Sequence, residues 1–381
     1  MKVDFNDKLV GGFNYEFVRG VSTESAGAAE LGECFETMSR VRNSDFESWI
    51  EHWSATADRV AAFAERRLKA GDQPSARNAF LRASNYYRIA VFYVAHTDPR
   101  HTTLWKRSRE CFHQMIPLLD RRVECIDVDF EGAKLPAYFV SAGEGVRPTL
   151  IALGGFDSTM EEVYGWVGTT AGDYGWHCLI FEGPGQWGAL KANPGLVFRP
   201  DYEKPMNAVV DYLLTRPDVD PNKLALIGYS AGGYFAPRAA SGEPRIKACI
   251  ANTLVVDCGE AARAGLKGMT NPWLIDTAFG LIMKRSAAAR WGFSTLNGAS
   301  VSAGRTNGQV HTHPSRSKDW KTDSRVPCCS CSARTISRAL RRPHRESSWG
   351  CWSSYLPCVA SDPFTCSRGK RVPPAIARWV D

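Results

Sequence analysis

The sequence predicts an α/β fold with a mostly parallel sheet, preceded by a helical N-terminal domain and followed by an irregular C-terminal tail. Three observations predict it. Before about residue 120, apolar residues recur at helical spacing. From about residue 124 to 253, apolar strands alternate with helices, which is typical of a parallel sheet covered on both faces. After about residue 296 the apolar periodicity is lost. The predicted domains are therefore 1–120, 121–296 and 297–381.

Composition and charge favour an ordinary globular protein without nucleic-acid or membrane partners. The chain has 381 residues and a net charge of +7, but residues 299–381 carry 14 Lys and Arg against 5 Asp and Glu, and the rest carries 33 against 35. The basic excess therefore lies in the tail. Residues 1–8 lack the order of a signal peptide, and no apolar run reaches the ~20 residues of a membrane helix. We expect a cytoplasmic protein.

Three helices are predicted in the N-terminal part. Apolar spacing places them at about 44–70, 74–99 and 103–119, with Gly71 and Pro99 as helix ends, while residues before about 40 are expected to be irregular. Aromatic side chains recur along the first two helices. We expect them to form the helix–helix core, and lining a ligand pocket is the alternative. These residues are Trp49, Trp53, Tyr86, Tyr87 and Phe92.

The sheet is predicted to begin with a β-hairpin over about 125–140, where apolar and polar residues alternate around Glu131-Gly132. Four apolar strands are expected after it, with helices between them. The strands lie at about 148–153, 176–181, 224–229 and 246–253, and the helices at 160–174, 202–214, after Ser230, and at 271–291 as a cap or lid.

Ser230 is the candidate catalytic residue. It stands in Gly228-Tyr229-Ser230-Ala231-Gly232, where an apolar strand ends and a helix begins. This pattern is typical of the nucleophile elbow of α/β-hydrolases, in which glycines allow the strand and the helix to approach closely. The sequence therefore predicts an α/β-hydrolase fold with a serine nucleophile. The alternative is a glycine-rich turn in which Ser230 only caps the helix.

Acyl chemistry at a serine also needs two N–H donors that stabilise the oxyanion. The backbone of Ala231, directly after the serine, is one candidate, and the backbone of Phe156, in the loop after an earlier strand, is the second. A simple glycine turn is the alternative for the Phe156 loop. Asp157 and Glu182 follow strands at the sheet edge where ligands bind, so each is a candidate pocket residue or else a turn or cap residue.

The acid and the histidine of a triad should follow the serine in the chain. The histidines after Ser230 are His311, His313 and His344, and none follows a predicted strand in a suitable loop. Asp257 follows the wrong strand for the acid, and Asp276 lies within a predicted helix. The triad cannot be completed from these residues. The sequence has no cofactor motif, so no cofactor or metal is predicted.

Residues 40 to about 295 resemble fungal polyketide-pathway hydrolases, a family related to 2,6-dihydroxypseudooxynicotine hydrolase and to fermentation-respiration-switch-type hydrolases. The matching stretches are Ser44 to Trp53, Arg82 to Arg88, Gly154 to Ser158, Glu182 to Gln186 and Gly228 to Tyr234, and residues 13–20 resemble the fusarin-pathway subgroup. The resemblance implies a helical region before an α/β-hydrolase domain. It also implies a small-molecule polyketide-type substrate in fungal secondary metabolism, cleaved at a C–C or ester bond or closed into a ring.

Two further expectations accompany the resemblance. Trp187 stands where the family usually has glycine, so we expect it to narrow the pocket mouth. The sequence does not decide the oligomeric state, and a homodimer is an open alternative.

The tail departs from the family, which should show Gly-x-Asp-Asp after a strand and then His-Cys-Gln-Val-Gly. Codons shifted by two nucleotides permit both motifs, the acid across Thr335/Ile336 and the histidine across Ala375/Ile376. We therefore hypothesise that residues from roughly 297 onward are translated out of frame. The chain as written is then expected to have little or no activity, because removing a catalytic base costs several orders of magnitude.

Two other classes of function stay open. A non-catalytic protein with this fold could bind a polyketide intermediate without turnover. The second class is a hydrolase-like domain with a tail that binds a metal or a nucleic acid. The candidate zinc ligands of such a tail are Cys328, Cys329, Cys331, His344 and Cys351. These residues lack the paired C-x-x-C spacing that is typical of zinc sites.

Overall fold

The computed structural model describes residues 13–43, 45–253 and 328–330, all within one compact unit that spans Met1–Ala333. The predicted lid helix at 271–291, the histidines and aspartates after Ser230, and the tail from 331 lie outside the described residues. The proposed domain boundaries at 120 and 296 stay predictions.

The N-terminal part is helical, and it begins earlier than predicted. The expectation that residues before about 40 are irregular is wrong, because two short helices form there, with Glu30 capping the second through the N–H groups of Gly32 and Glu33. The helices are α1 (Phe13–Val21), α2 (Leu31–Arg40), α3 (Phe46–Lys69), α4 (Gln73–Val91) and α5 (Pro99–Met115), with 3-10 turns at Glu24–Ala26 and Ile116–Leu118.

Aspartate caps set the starts of the long helices. Asp45 accepts a hydrogen bond from the N–H of Ser48, Asp72 from Ser75 and Asp98 from Arg100. Pro99 follows the last of these caps and opens α5. The prediction that Pro99 ends the preceding helix is therefore wrong, because a proline is well tolerated in the first turn of a helix, where its missing N–H has no partner to lose.

The aromatic side chains of α3 and α4 form the core of this helical part, as predicted. Trp49, Trp53, Tyr86 and Tyr87 are fully buried, and the Trp49 indole N–H donates to the carbonyl of Ile89 at 2.9 Å. This bond satisfies a polar atom that would be costly to bury alone.

Within the described residues, seven strands form one mixed sheet in the order β1-β2-β4-β3-β5-β6-β7. The hairpin pairs antiparallel and joins β4 antiparallel, while all the remaining neighbours are parallel. This confirms the predicted fold class. The strands are β1 (Val123–Phe130), β2 (Ala133–Val140), β3 (Arg147–Leu153), β4 (His177–Phe181), β5 (Val219–Tyr229), β6 (Ile246–Asn252) and β7 (Cys328–Ser330).

Helices lie on both faces of the sheet. On one face, α9 (Glu203–Leu214) and α10 (Gly232–Gly242) bury Met206, Val210 and Ala239 against the strands. On the other, the ring of Tyr138 in β2 stacks on Phe112 of α5 at 5.0 Å. This division follows from the alternation of side chains along a strand.

The helix predicted at 160–174 is interrupted. It consists of α6 (Met160–Val163), a π-helical turn (Tyr164–Gly168) and α7 (Thr169–Asp173). A short helix that the sequence analysis did not predict, α8 (Trp187–Ala192), follows β4. In the part of the chain that the structure describes, every helix is too short or too polar to cross a membrane.

Candidate functional site

Ser230 stands on the sharp turn between β5 and α10. Its φ is 54°, a left-handed conformation that is uncommon for a residue with a side chain. Its N–H donates to the carbonyl of Asn252 at 3.1 Å, and its carbonyl accepts from the N–H of Gly233 at 2.8 Å. The surrounding backbone thus holds a strained residue in place, and Ser230 itself is exposed.

Glycines permit this turn, as the sequence predicts. A Cβ on Gly228 would stand 2.0 Å from the carbonyl oxygen of Gly232, and one on Gly232 would stand 2.7 Å from that of Gly154. A Cβ on Gly155 would stand 2.8 Å from the Cβ of Ser230. Strand, helix and the loop after β3 therefore meet at distances that only glycine allows.

The loop after β3 lies beside Ser230 because β3 and β5 are parallel neighbours whose carboxyl ends coincide, with Leu153 opposite Gly228. This loop carries Phe156, whose ring stacks on Phe198 at 5.4 Å. Ala231 caps α10 directly after Ser230. Among the described residues, no acceptor is paired with the N–H of Phe156 or of Ala231.

Gln186 links this loop to the loop after β4. Its side-chain oxygen accepts from the N–H of Gly183 at 2.7 Å, and its side-chain nitrogen donates to the carbonyl of Gly155 at 2.9 Å. The Gly155 N–H donates in turn to the hydroxyl of Ser158 at 3.0 Å. The two glycine motifs quoted in the sequence analysis are therefore joined by one amide side chain.

An open pocket of about 200 Å³ lies in front of Ser230. Its described lining combines aromatic rings with a few polar groups, which is usual for a small-molecule site. The lining residues are Tyr15, Arg19, Phe92, Asp157, Ser158, Trp166, Tyr229, Ser230, Asn252 and Thr253.

Charged groups converge at one side of the pocket. Asp157 forms an ion pair with Arg19 of α1 at 3.1 Å, and Arg19 also pairs with Glu162 of α6 at 2.6 Å. Burial alone would lower the pKa of Arg19, but the carboxylates of Asp157 and Glu162 raise that pKa well above its ordinary value. The guanidinium is thus permanently charged and held on both sides.

Comparison with known proteins identifies the family. No family model matches the chain. The chain is 36% identical over 286 residues to hydrolase acrC of Aspergillus aculeatus, covering 69% of this chain and 66% of that protein. It is 34% identical over 302 residues to hydrolyase poxO of Penicillium oxalicum, covering 73% of this chain and 71% of that protein.

The chain belongs to the fungal α/β-hydrolases. The crystal structure of 2,6-dihydroxy-pseudo-oxynicotine hydrolase shares the fold, with a TM-score of 0.54 and 24% identity over 73% of this chain and 75% of that one. The resemblance inferred from the motifs is therefore confirmed for the family and the fold.

Two candidate pocket residues of this α/β-hydrolase lie elsewhere. Glu182 and Trp187 are buried and do not belong to the described lining of the Ser230 pocket. Trp187 opens α8 and packs its ring against His101 at 4.7 Å and His96 at 5.6 Å. The Trp187 ring therefore lies in the protein interior, and it does not line the described part of the pocket.

Glu182 lies at the end of β4 in a charged interior. Burial raises the pKa of its carboxyl to about 8, the nearby charge of Glu161 adds to this effect, and Arg109 opposes it. A carboxyl in such surroundings favours its neutral form.

Among the described residues of this hydrolase, no histidine or acid can be assigned as a triad partner of Ser230. No histidine is among the described residues that line the pocket, and His311, His313, His344, Asp257 and Asp276 lie outside the described part. Within the described ranges, no group of three His, Cys, Asp or Glu side chains could hold a metal ion. Cys328 and Cys329 are described only as backbone of β7.

Most of the described pocket lining is not predicted from the sequence. Tyr15 and Arg19 come from α1, which was expected to be irregular, and Trp166 comes from the π-helical turn. Phe92 lines the pocket, which was the alternative stated for the aromatic residues. The apolar repeat within Phe13–Val21 could have revealed α1, but no sequence signal shows that this helix lies on the pocket.

Proposed function

We propose that this α/β-hydrolase acts through Ser230 as a nucleophile on the carbonyl of a small-molecule polyketide or polyketide–peptide intermediate. The observation that carries the proposal is the left-handed backbone of an exposed Ser230 at the rim of the pocket, with Gly155 directly beside it. A turn that served only to cap α10 would need neither the strain nor the adjoining cavity.

In the proposed reaction, the Ser230 hydroxyl oxygen attacks the substrate carbonyl carbon while a histidine removes its proton. The N–H groups of Ala231 and Phe156 stabilise the oxyanion, supported by the N-terminal end of α10. Collapse of the tetrahedral adduct expels the leaving group, which takes the proton from the histidine. Water or an internal nucleophile then releases the acyl group, giving hydrolysis or ring closure.

The substrate class is supported by the aromatic walls of the pocket and by the fungal hydrolases among the relatives. Tyr15, Phe92, Trp166 and Tyr229 offer flat apolar surface to an unsaturated or aromatic acyl chain. The matched region spans about two thirds of the length of these relatives, so the reaction of the whole protein is part of the proposal. We place this chemistry in the cytoplasm of a fungus.

A second candidate is a non-catalytic hydrolase-like protein that binds the same intermediate. It is favoured by the absence of histidine from the described lining of the pocket. Under the frame hypothesis, the chain as written lacks both the acid and the base, so we expect it to react far more slowly than a complete family member.

The experiment compares three proteins with a fluorophosphonate probe. They are the chain as written, its Ser230→Ala variant, and a frame-corrected chain in which the residues after 296 are replaced by the reading shifted by two nucleotides. We expect slow labelling of the first, none of the second, and labelling of the third faster by several orders of magnitude.

Labelling that persists in Ser230→Ala would remove the nucleophile assignment. Fast labelling of the chain as written would retain Ser230 and refute the incomplete triad. A polyketide ligand bound equally well with and without Ser230, and never turned over by the frame-corrected chain, would favour the binding protein. Genomic DNA across codons 290–381 tests the frame hypothesis directly.

A further inference from the structure

One arginine of the N-terminal helical part reaches the loop that carries Phe156. We infer that Arg19 is a positioning residue, and that its bridge from α1 to Asp157 and Glu162 holds the Phe156 N–H in its place beside Ser230. The inference rests on the proposed function, since it assigns a reason for that loop to be fixed. It makes α1 (Phe13–Val21) a part of the active site.

The bridge uses the whole guanidinium. Nε of Arg19 donates to Glu162 Oε1 at 2.7 Å and Nη2 donates to Glu162 Oε2 at 2.6 Å, which is a bidentate pair. Nη1 donates to Asp157 Oδ2 at 3.1 Å. Such charge-assisted pairs fix direction as well as distance, because the donors of a guanidinium are rigid.

These contacts restrain the loop after β3 and the start of α6. Asp157 is the residue directly after Phe156, and Glu162 belongs to the first turn of α6, in which Thr159 caps the N–H of Glu162 at 3.3 Å. Arg19 therefore ties the Phe156 loop to the helix that follows it. Apart from this tie, the described part of the molecule holds the loop through the hydrogen bonds of Gln186 and Ser158 to Gly155 and the stack of Phe156 on Phe198.

The bridge has a buried support on its inner side. Arg88 of α4 is 1% exposed and pairs with Glu162 at 3.2 Å and closely with Glu16 of α1. Asn85 of α4 donates to the carbonyl of Gly20 at 3.1 Å. These contacts hold α1 against α4, and so Arg19 projects from a fixed element. A buried charge network is weak evidence for stability, whereas in several proteins such a network selects one conformation.

The proposed reaction gives a reason for holding the Phe156 loop in one position. Oxyanion stabilisation depends on donors held at hydrogen-bond distance from an oxygen that exists only during the reaction. A displacement of about 1 Å at a positioned group can reduce the rate about 100-fold. The Arg19 side chain is 8% exposed and its ring neighbours are Phe92 at 5.2 Å and Trp166 at 5.7 Å, so water does not compete strongly for it.

The first test is hydrogen exchange on the full chain as written, which needs no catalytic activity. The variants are Arg19→Gln, which removes the bonds to both carboxylates, Asp157→Asn, which removes the charge on the Asp157 side alone, and the double variant. The matched control is Arg82→Gln, since Arg82 is 19% exposed and joins α4 to Glu33 of α2 at 2.9 Å. The reporter is peptide 154–163, and β5 is the internal reference.

We expect each single variant to speed exchange in 154–163 about tenfold, because each disrupts the charge-assisted hydrogen bond between Arg19 and Asp157. We expect the double variant to add nothing, because the two single variants disrupt the same bond. Exchange in β5 in every variant, and exchange in 154–163 in Arg82→Gln, should be unchanged. The inference is overturned if exchange in 154–163 is unaltered in Arg19→Gln. It is also overturned if the effects of the two single variants add up in the double variant, or if every segment of the chain exchanges faster to the same degree. Asp157→Asn keeps the test valid if Arg19→Gln does not fold.

The second test measures fluorophosphonate labelling of the frame-corrected chain as a saturable reaction. Arg19→Gln should lower the maximal rate about 100-fold while the half-saturating concentration stays within about threefold. A change in half-saturation alone would make Arg19 a binding residue and overturn the positioning role. If Ser230 is not the nucleophile, the frame-corrected parent either fails to label or labels as fast as its Ser230→Ala variant, while the exchange experiment still decides whether the bridge restrains the loop.

Discussion

Gly155 lies so close to Ser230 that a Cβ at Gly155 would stand 2.8 Å from the Ser230 Cβ and 3.2 Å from its hydroxyl oxygen. Two parallel neighbours, β3 and β5, end side by side at this point, and their loops share the space above the sheet edge. The contact joins the candidate nucleophile to the candidate oxyanion loop.

Gly155→Ala should therefore impair the site more than the fold. The added methyl group must displace either the Ser230 side chain or the loop that carries Phe156, and a shift of about 1 Å costs about 100-fold in rate. Fluorophosphonate labelling of the frame-corrected chain measures this loss. Unfolding in urea is the control and should change by less than about 3 kcal/mol. Labelling of Gly155→Ala at the parent rate would contradict this prediction, because it would show that the loop accommodates the methyl group without loss of activity.

Gly228→Ala should instead impair the fold. Its methyl group would stand 2.0 Å from the backbone oxygen of Gly232, where no flexible side chain can move aside, so we expect a loss of about 3 kcal/mol or more of unfolding free energy. Gly32→Ala in the first turn of α2 is the control. It meets only the carboxylate of Glu30 at 3.1 Å and should change stability by less than about 1 kcal/mol.

Glu182 should make stability fall as the pH rises. Burial and the charge of Glu161 raise its folded-state pKa to about 8 from an ordinary 4.5, against the effect of Arg109. Between these values the folded chain retains a proton that the unfolded chain has released. Its stabilising contribution is complete below about pH 4.5 and is lost as the pH approaches 8.

Urea unfolding of the parent and of Glu182→Gln at several pH values between 5 and 8 measures this effect. The amide cannot titrate, so the variant should lose the part of the pH dependence that Glu182 causes. The free energy of unfolding of the parent, measured relative to that of Glu182→Gln, should therefore decrease as the pH rises. A difference that is constant with pH would contradict the raised pKa.

Trp166→Ala should weaken binding of a flat acyl ligand. The Trp166 ring lies 5.1 Å from that of Tyr229 and lines the pocket, and loss of an aromatic contact of this kind costs about tenfold in affinity. Competition by a planar aromatic ester against fluorophosphonate labelling measures it. Trp105→Ala, whose ring contacts Arg109 and Lys191 outside the described lining, should leave competition unchanged.

Elements with strong local signals could be read from the sequence. The apolar runs of β3, β4 and β5 and the alternation in the hairpin identify strands, because a buried strand requires apolar residues at nearly every position. The glycines at 228 and 232 identify the turn at Ser230, because the close approach of backbones there tolerates no side chain.

Short or context-dependent elements could not be read so well. The helices α1, α2 and α8 have six to ten residues, and helices of this length depend on tertiary packing for most of their stability. Pro99 is compatible with either end of a helix in sequence terms, and the Asp98 cap decides that it opens α5.

The sequence by itself determined the order of the strands from β1 to β6 and of the longer helices, the position of Ser230 and the family, since these depend on local patterns and on motifs of adjacent residues. The tertiary structure decided which distant residues share the pocket. It brings Arg19 of α1 to Asp157 across 138 positions of the chain and directs Glu182 and Trp187 into the interior. Such contacts depend on how α1, α6 and α8 pack, and packing is set by many long-range contacts that no local pattern records.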